Sequence, residues 1–264
     1  MSADVEVVAP AIGVDALPYG FIGAMQQRFE ENIYNPLVQP GVTDVLLAER
    51  DRWAVQGKTT VFTSGVYDLL HLDHAGYLLH TKATGAAVHY TKEGHIKPWE
   101  ALSSEDQQRY TAQALGNGAL RLIVSVDGDK SVAVRKSGKA GGPRPIYAWH
   151  TRALMVASQT FINPVGNPQQ RILPIADAVT IHGPEDFPAG DTHASHLDLV
   201  ARLQPDAWAI FGESTDILEA APHHPSLGAV ALRCINDGAD THYFEDANMG
   251  KMSTTKIVER IVGN

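Results

Sequence analysis

The segment T-S-G-V-Y-D-L-L-H-L-D-H-A-G-Y-L-L, Thr63 to Leu79, joins two apolar patterns of different period. Before it, Thr59 to Ser64 (TTVFTS) is a short β-rich run that reads as a buried strand. After it, Ala75, Leu78, Leu79, Lys82 and Ala83 recur at i, i+3, i+4, i+7 and i+8, with the lysine counted for its stem, and so form one face of a helix. A strand passing through a glycine turn into a helix is the first half of a βαβ unit. Outward from it, Leu120–Val126 reads as a second strand, and a helix follows around Arg152 with Ala153, Val156, Ala157, Thr160 and Phe161 on one side. Ala178–Ile181 and Ala207–Phe211 read as further buried strands, and Ser253–Val262 as a closing helix. This alternation predicts an α/β fold, a Rossmann-like parallel sheet flanked by helices.

Two segments stand outside it. Residues 1–57 hold Pro-rich stretches and two expected helices, around Met25–Ile33 and Val42–Trp53, and read as an N-terminal extension packing on a 58–264 core. Residues 86–116 are more polar than their flanks and longer than a βα connection needs, so they read as an insertion near the active face. The 264 residues carry 21 Lys and Arg against 30 Asp and Glu, a formal charge of −9, which argues against a nucleic-acid partner. Cys234 is a lone cysteine and excludes an intramolecular disulfide. Neither a secretory leader nor an 18-residue apolar run is present, so no membrane partner is expected and the expected compartment is the cytoplasm. His193 with His196, and the pair His223 and His224, lack a third ligand at zinc-site spacing. There is no G-x-x-x-x-G-K-S/T and no G-x-G-x-x-G after a strand.

The chemistry concentrates where the first helix begins. A helix start gathers unpaired N–H groups and partial positive charge, which makes it an anion site, and His71 and His74 add two imidazole donors there. Each residue also has a structural explanation. A histidine can serve the helix start alone, Asp68 can hydrogen-bond the turn, Gly65 can serve close packing, and Ser253 is an adequate helix cap.

The segment resembles the HIGH-type nucleotidyltransferases, whose G-x-F-D-x-x-H-x-G-H motif follows the first strand; Gly65, Tyr67, Asp68, His71 and His74 match it in order. V-D-G-D-K-S-V-A-V-R-K-S-G-K-A-G-G-P-R-P-I (Val126–Ile146) is similar to the family's D-x-S-V-x-x-x-K-G-x-x-R-P segment. Arg152 opens a helix resembling R-x-x-x-L, which in the family leads to a V-D pair, here Ile162-Asn163. Q-P-D-A-W-A-I-F-G-E (Gln204–Glu213) and M-S-T-T-K-I (Met252–Ile257) resemble the family's P-D-x-x-x-x-G-x-D strand and terminal helix start. The pattern is nearest to the adenylyltransferase domain of ADP-heptose synthase and to glycerol-3-phosphate cytidylyltransferase.

The resemblance implies transfer of a nucleoside monophosphate from ATP or CTP to a small phosphorylated acceptor, such as a sugar phosphate, polyol phosphate or phosphonate, with release of pyrophosphate. It implies catalytic roles for His71, His74, Arg152 and a lysine: Lys136 counting from Ser131-Val132, or Lys139 counting back from Arg144-Pro145. Nucleotide contacts would fall on Thr63, Ser64, Gly65, Tyr67, Asp68, Gly212, Glu213, Ser253, Thr254 and Thr255, with Mg²⁺ arriving on the triphosphate. The resemblance is compatible with a homodimer in which the N-terminal extension forms an interface.

Two departures matter. The arginine that cytidylyltransferases carry before the last S-T-T is absent near Asn248, and Asp73 replaces the glycine between the histidines. A carboxylate about 5 Å from a phosphate charge costs roughly 3 kcal/mol at an effective dielectric near 20. A metal ion, protonation, or a side chain turned to cap the helix would relieve it. A nucleotide-binding relative without turnover is the alternative reading.

Overall fold

The computed structural model describes residues 27, 29–37, 39, 41–95, 97–136, 143–163, 165, 172–188, 195–211 and 231–235. In chain order the elements are β1 (Ile33–Tyr34), α1 (Val42–Val55), β2 (Thr59–Gly65), α2 (Leu72–Lys92), a 3-10 turn (Trp99–Ala101), α3 (Ser104–Gly116), β3 (Leu120–Asp127) and α4 (Asp129–Lys136). They continue with α5 (Trp149–Ala157), β4 (Thr160–Ile162), β5 (Ile172–Pro174), β6 (Ala178–His182), α6 (His196–Leu203), β7 (Ala207–Phe211) and β8 (Ala231–Ile235). The six-stranded sheet has the order β1-β6-β3-β2-β7-β8, and every neighbouring pair is parallel. β4 and β5 form a separate antiparallel pair.

Both faces of the sheet are buried, as parallel sheets require, and residue parity along each strand decides which helix layer a side chain meets. Val61, Leu122, Val124, Val126, Val179, Ile181, Ala207 and Ala209 pack with Tyr77 and Leu78 of α2 and with Trp149, Ala153 and Val156 of α5. The alternate positions Phe62, Ile123, Ala178 and Trp208 pack with Leu46 and Trp53 of α1 and with Leu199, Val200 and Leu203 of α6. Lys82, read as a stem on the α2 stripe, is buried, its Nζ donating to Asp177 Oδ2 at 2.7 Å and to the Pro174 carbonyl at 2.9 Å.

From β2 the chain moves one way across the sheet to β3 and β6, then returns to the far side of β2 as β7. The order reverses between β2 and β7. In open α/β sheets the crevice at such a reversal, outside the carboxyl ends of the strands, is where ligands bind. Gly65 ends β2 on that edge.

Four sequence expectations change. Thr160 and Phe161, placed on the helix around Arg152, lie beyond its end at Ala157 and form β4, paired with β5. Ile33, placed in a helix by its apolar neighbours, is instead in β1, in register with Val179. Residues 86–92 of the expected insertion continue α2, which is therefore 21 residues and about 30 Å long. The rest of the insertion does not lie near the crevice: Glu93, Tyr110, Gln113 and Ala114 line a cavity together with Gly57 and Lys58, which lead into the opposite end of β2. Its polar residues serve a capped helix, in which Ser103 Oγ accepts from the Asp106 N–H at 3.1 Å and Ala114 and Leu115 are buried facing Ala86. Among the described residues no helix is long and apolar enough to cross a membrane.

Candidate active site

At the end of β2 the chain must turn sharply to start α2, and Tyr67 makes the turn in the left-handed region at φ 51°. Its ring folds back over Gly65, where an added Cβ would lie 3.0 Å from two ring carbons, so the glycine makes room for the tyrosine. The ring then meets His74 edge-on with centroids 5.6 Å apart, and His74 lies 3.9 Å from the His71 ring. His71 is the N-cap of α2 and His74 the third residue of its first turn. The His71 backbone N–H donates to His74 Nδ1 at 3.4 Å. Two polar atoms here, Tyr67 Oη and His71 Nδ1, are buried without a hydrogen-bond partner, in a fold where such atoms are rarely left so.

Burial holds both imidazoles neutral. It pushes His74 down to about 3, reinforced by His71 and opposed by a hydrogen bond to the Leu69 backbone. It also lowers His71, against the pull of the Asp73 carboxylate. Asp73 is the second residue of α2, so the capping position is taken by His71; the aspartate sits in the first turn, where the helix dipole favours its charge. Burial also raises Tyr67 well above the usual phenol range, keeping it protonated.

Asp68 is 3% exposed and anchors the segment that follows the Gly-rich loop. Its Oδ2 accepts from Arg144 Nη1 at 2.7 Å, and its Oδ1 accepts from the Ile146 and Tyr147 N–H groups at 2.7 and 3.1 Å. Arg152 is fully buried. Its guanidinium donates to the carbonyls of Tyr147 (2.9 Å), Val66 (2.6 Å) and Asp127 (2.7 Å) and to Asp129 Oδ1 (2.7 Å). The arginine expected to meet a phosphate thus ties the ends of β2 and β3 to the 147 turn. Thr63, expected at the nucleotide, is also inside: its hydroxyl lies 2.6 Å from Tyr77 Oη and donates to the Ala209 carbonyl of β7 at 3.1 Å.

Three residues that sequence reasoning passed over complete this edge. Asp186 occupies the start of α4, accepting from the Lys130 and Ser131 N–H groups at 3.0 Å each and from Ser131 Oγ at 2.7 Å. Gly128 permits that approach, since a Cβ there would collide with the carboxylate. His182, 1% exposed, reaches Ser125 Oγ at 2.8 Å and Asp127 Oδ1 at 2.5 Å, and Asp127 also pairs with Arg135 of α4. The available signal was a strand-ending polar residue followed by glycine, Asp127-Gly128 and His182-Gly183.

The structure therefore brings Gly65, Tyr67, His71, Asp73 and His74 together at the head of α2, with Asp68, Arg144 and Arg152 as the ties around it. Ser64 is partly exposed on the last turn of β2, and Lys136 ends α4. Lys139, Gly212, Glu213, Ser253, Thr254 and Thr255, the closing helix, His193, His223 and His224 lie outside the described residues.

The strand order, the reversal beside β2 and the helix start at that crevice define a doubly wound α/β protein of Rossmann-like build. No family model and no curated protein matches the chain. Among solved structures, the crystal structure of the lipopolysaccharide core biosynthesis protein from Thermoplasma volcanium GSS1 is similar at 20% identity, covering 68% of this chain and 98% of that chain with a TM-score of 0.37.

Proposed function

We propose that the chain is a nucleotidyltransferase that moves a nucleoside monophosphate from ATP or CTP to a small phosphorylated acceptor. The observation that carries this reading is the pair of close-packed, neutral histidines at a helix start opening on the β2/β7 reversal, with His71 Nδ1 buried and unpartnered. An acceptor oxygen attacks the α-phosphorus, the bond to the bridging oxygen of the β-phosphate breaks, and pyrophosphate leaves. No protein nucleophile is required, so positioning and charge stabilisation supply the rate.

His71 and His74 act as N–H donors to the phosphates rather than as cations. For His74 the phosphate takes over the place of the Leu69 backbone, and the His71 N–H bond to Nδ1 keeps the ring proton on Nε2. Arg152 and Arg144 hold the walls, leaving Lys136 or Lys139 as the cation for the transferred group.

Bound together with the triphosphate, Mg²⁺ would supply neutralisation of the phosphate charge. Asp73, the carboxylate in the first turn of α2, is the side chain that would share in holding the ion.

The test is pyrophosphate release with each of ATP, CTP, GTP and UTP plus phosphorylated acceptors, beside calorimetric titration of the triphosphates with Mg²⁺. His71→Ala and His74→Ala should each lower turnover by about 10²-fold or more, as loss of one preorganised donor does. Tight triphosphate binding indifferent to both substitutions would sink the reading. A second reading, binding without turnover, is favoured by the Asp73 charge at the helix start. Asp73→Gly separates the two: a gain in pyrophosphate release supports a lost activity, and a loss supports a recruited carboxylate.

A further inference from the structure

At the end of the sheet away from the histidines, the start of β2 and the ends of α2 and α3 line an open cleft of about 700 Å³, within the range of small-molecule sites. We propose that it is a second ligand site, for a hexose phosphate or a closely similar phosphorylated polyol. This rests on none of the nucleotidyltransferase reading, because no residue is shared between the two places.

The two lysines of the cavity differ in their partners. Lys92 pairs with Asp206 at 2.7 Å, while Glu93 lies within hydrogen-bond reach of His89 at 3.2 Å and His95 at 3.3 Å. Nearby Arg121 pairs with Asp177 at 3.1 Å. Lys58, half-buried in the wall, is the lining cation with no anionic partner among the described residues. Burial and the neighbouring Arg121 both disfavour its charge, and an arriving anion would relieve the second. A phosphate is that anion, since it takes charge-assisted hydrogen bonds from an ammonium.

The remainder of the lining suits hydroxyl groups. Gln113, Asn117 and Glu93 offer planar donors and acceptors, and Ala54, Gly57, Ala86, Ala114 and Ala119 add only small groups to the lining. A nucleobase fits less well, because it needs open aromatic faces. One face of Tyr90 is covered by His95, stacked at 3.8 Å and 3°, and Arg109 lies 5.1 Å over the Tyr110 ring. α2 carries His89 at this end, with Glu93 as its C-cap, and is capped at the other by His71, so a ligand here bears on the helix that supports the histidines.

Calorimetry on the full chain with glucose 6-phosphate, glucose and inorganic phosphate tests the site. Glucose 6-phosphate should bind saturably, with each half-molecule at least about tenfold weaker. Lys58→Glu and the cavity-filling Gln113→Trp should each weaken it by about tenfold or more, while the His71→Ala/His74→Ala double variant should leave it unchanged. The proposal is overturned if glucose 6-phosphate does not bind saturably. It is equally overturned if the histidine double variant abolishes binding while Lys58→Glu leaves it intact, which would place the ligand at the head of α2.

Discussion

His74 should make the protein lose stability in mild acid, by an amount the structure sets. An imidazole in the unfolded chain titrates near 6.5, whereas burial against Tyr67 and His71 pushes the native His74 down to about 3. Between those values the unfolded chain holds a proton that the native protein does not. Stability is then fully present above about pH 6.5 and falls as the pH drops toward 3. At about 1.36 kcal/mol per pH unit over the 1.5 units from 6.5 to 5, the loss from this one residue is about 2 kcal/mol. His71 shifts in the same direction and is present in both proteins to be compared. Urea unfolding at pH 7 and pH 5, for wild type and His74→Gln, isolates the term: the wild type should lose about 2 kcal/mol more than the variant across the interval. Equal losses would show that the native ring accepts a proton at pH 5, and with it that the Tyr67 and His71 rings do not desolvate His74. A bound triphosphate should shrink the wild-type loss, because an anion beside the ring favours the protonated form in the native state.

Arg152→Met should act first on the fold. It leaves the Val66, Tyr147 and Asp127 carbonyls without their donor and Asp129 without its cation, a loss of about 3–5 kcal/mol that lowers the thermal midpoint by about 10 °C; a variant with the wild-type midpoint and impaired turnover alone would reassign the residue to the phosphates. Gly65→Ala should drive a methyl group against the Tyr67 ring and destabilise by about 1–3 kcal/mol, read as a lower urea midpoint. An unchanged midpoint would contradict the close packing of that turn.

How much of this could be read beforehand depended on the range of the interaction. β7 is a continuous apolar run and β2 a run rich in β-branched residues, as suits a parallel sheet buried on both faces, and their expected limits, 59–64 and 207–211, fall within a residue of those observed. The head of α2 was legible for a similarly local reason, since a glycine, a polar turn and a change of period mark a helix start in sequence. β1, two residues long, exists only because Ile33 finds Val179, and β4 and β5 only because they find each other, so no local pattern announced them. The last seven residues of α2 were hidden by the polar run that follows, although Ala86 and Tyr90 continue the buried face. Arg152 illustrates the limit at the site itself. Its partners are three backbone carbonyls and one carboxylate from separate stretches, and backbone acceptors leave no trace in residue identity.

The same accounting constrains how a phosphate would be held. The arginines around the crevice are already matched: Arg144 by Asp68, Arg152 by Asp129 and three carbonyls, Arg135 by Asp127. The start of α4, an anion site by its geometry, is filled by Asp186 from the same chain. At the head of α2 itself, Asp73 aside, the side chains gathered are neutral, namely two imidazoles and a phenol. Recognition by such groups depends on directed N–H and O–H bonds and on the helix dipole more than on net charge. That suits a chain whose formal charge is −9, in which bulk attraction cannot draw an anion to the crevice. It also explains the arrangement of the turn. The strained Tyr67 backbone and the unpartnered Tyr67 Oη and His71 Nδ1 are tolerable only where the surrounding packing fixes them, and Asp68 and Arg152, each bonded to several segments, do that fixing.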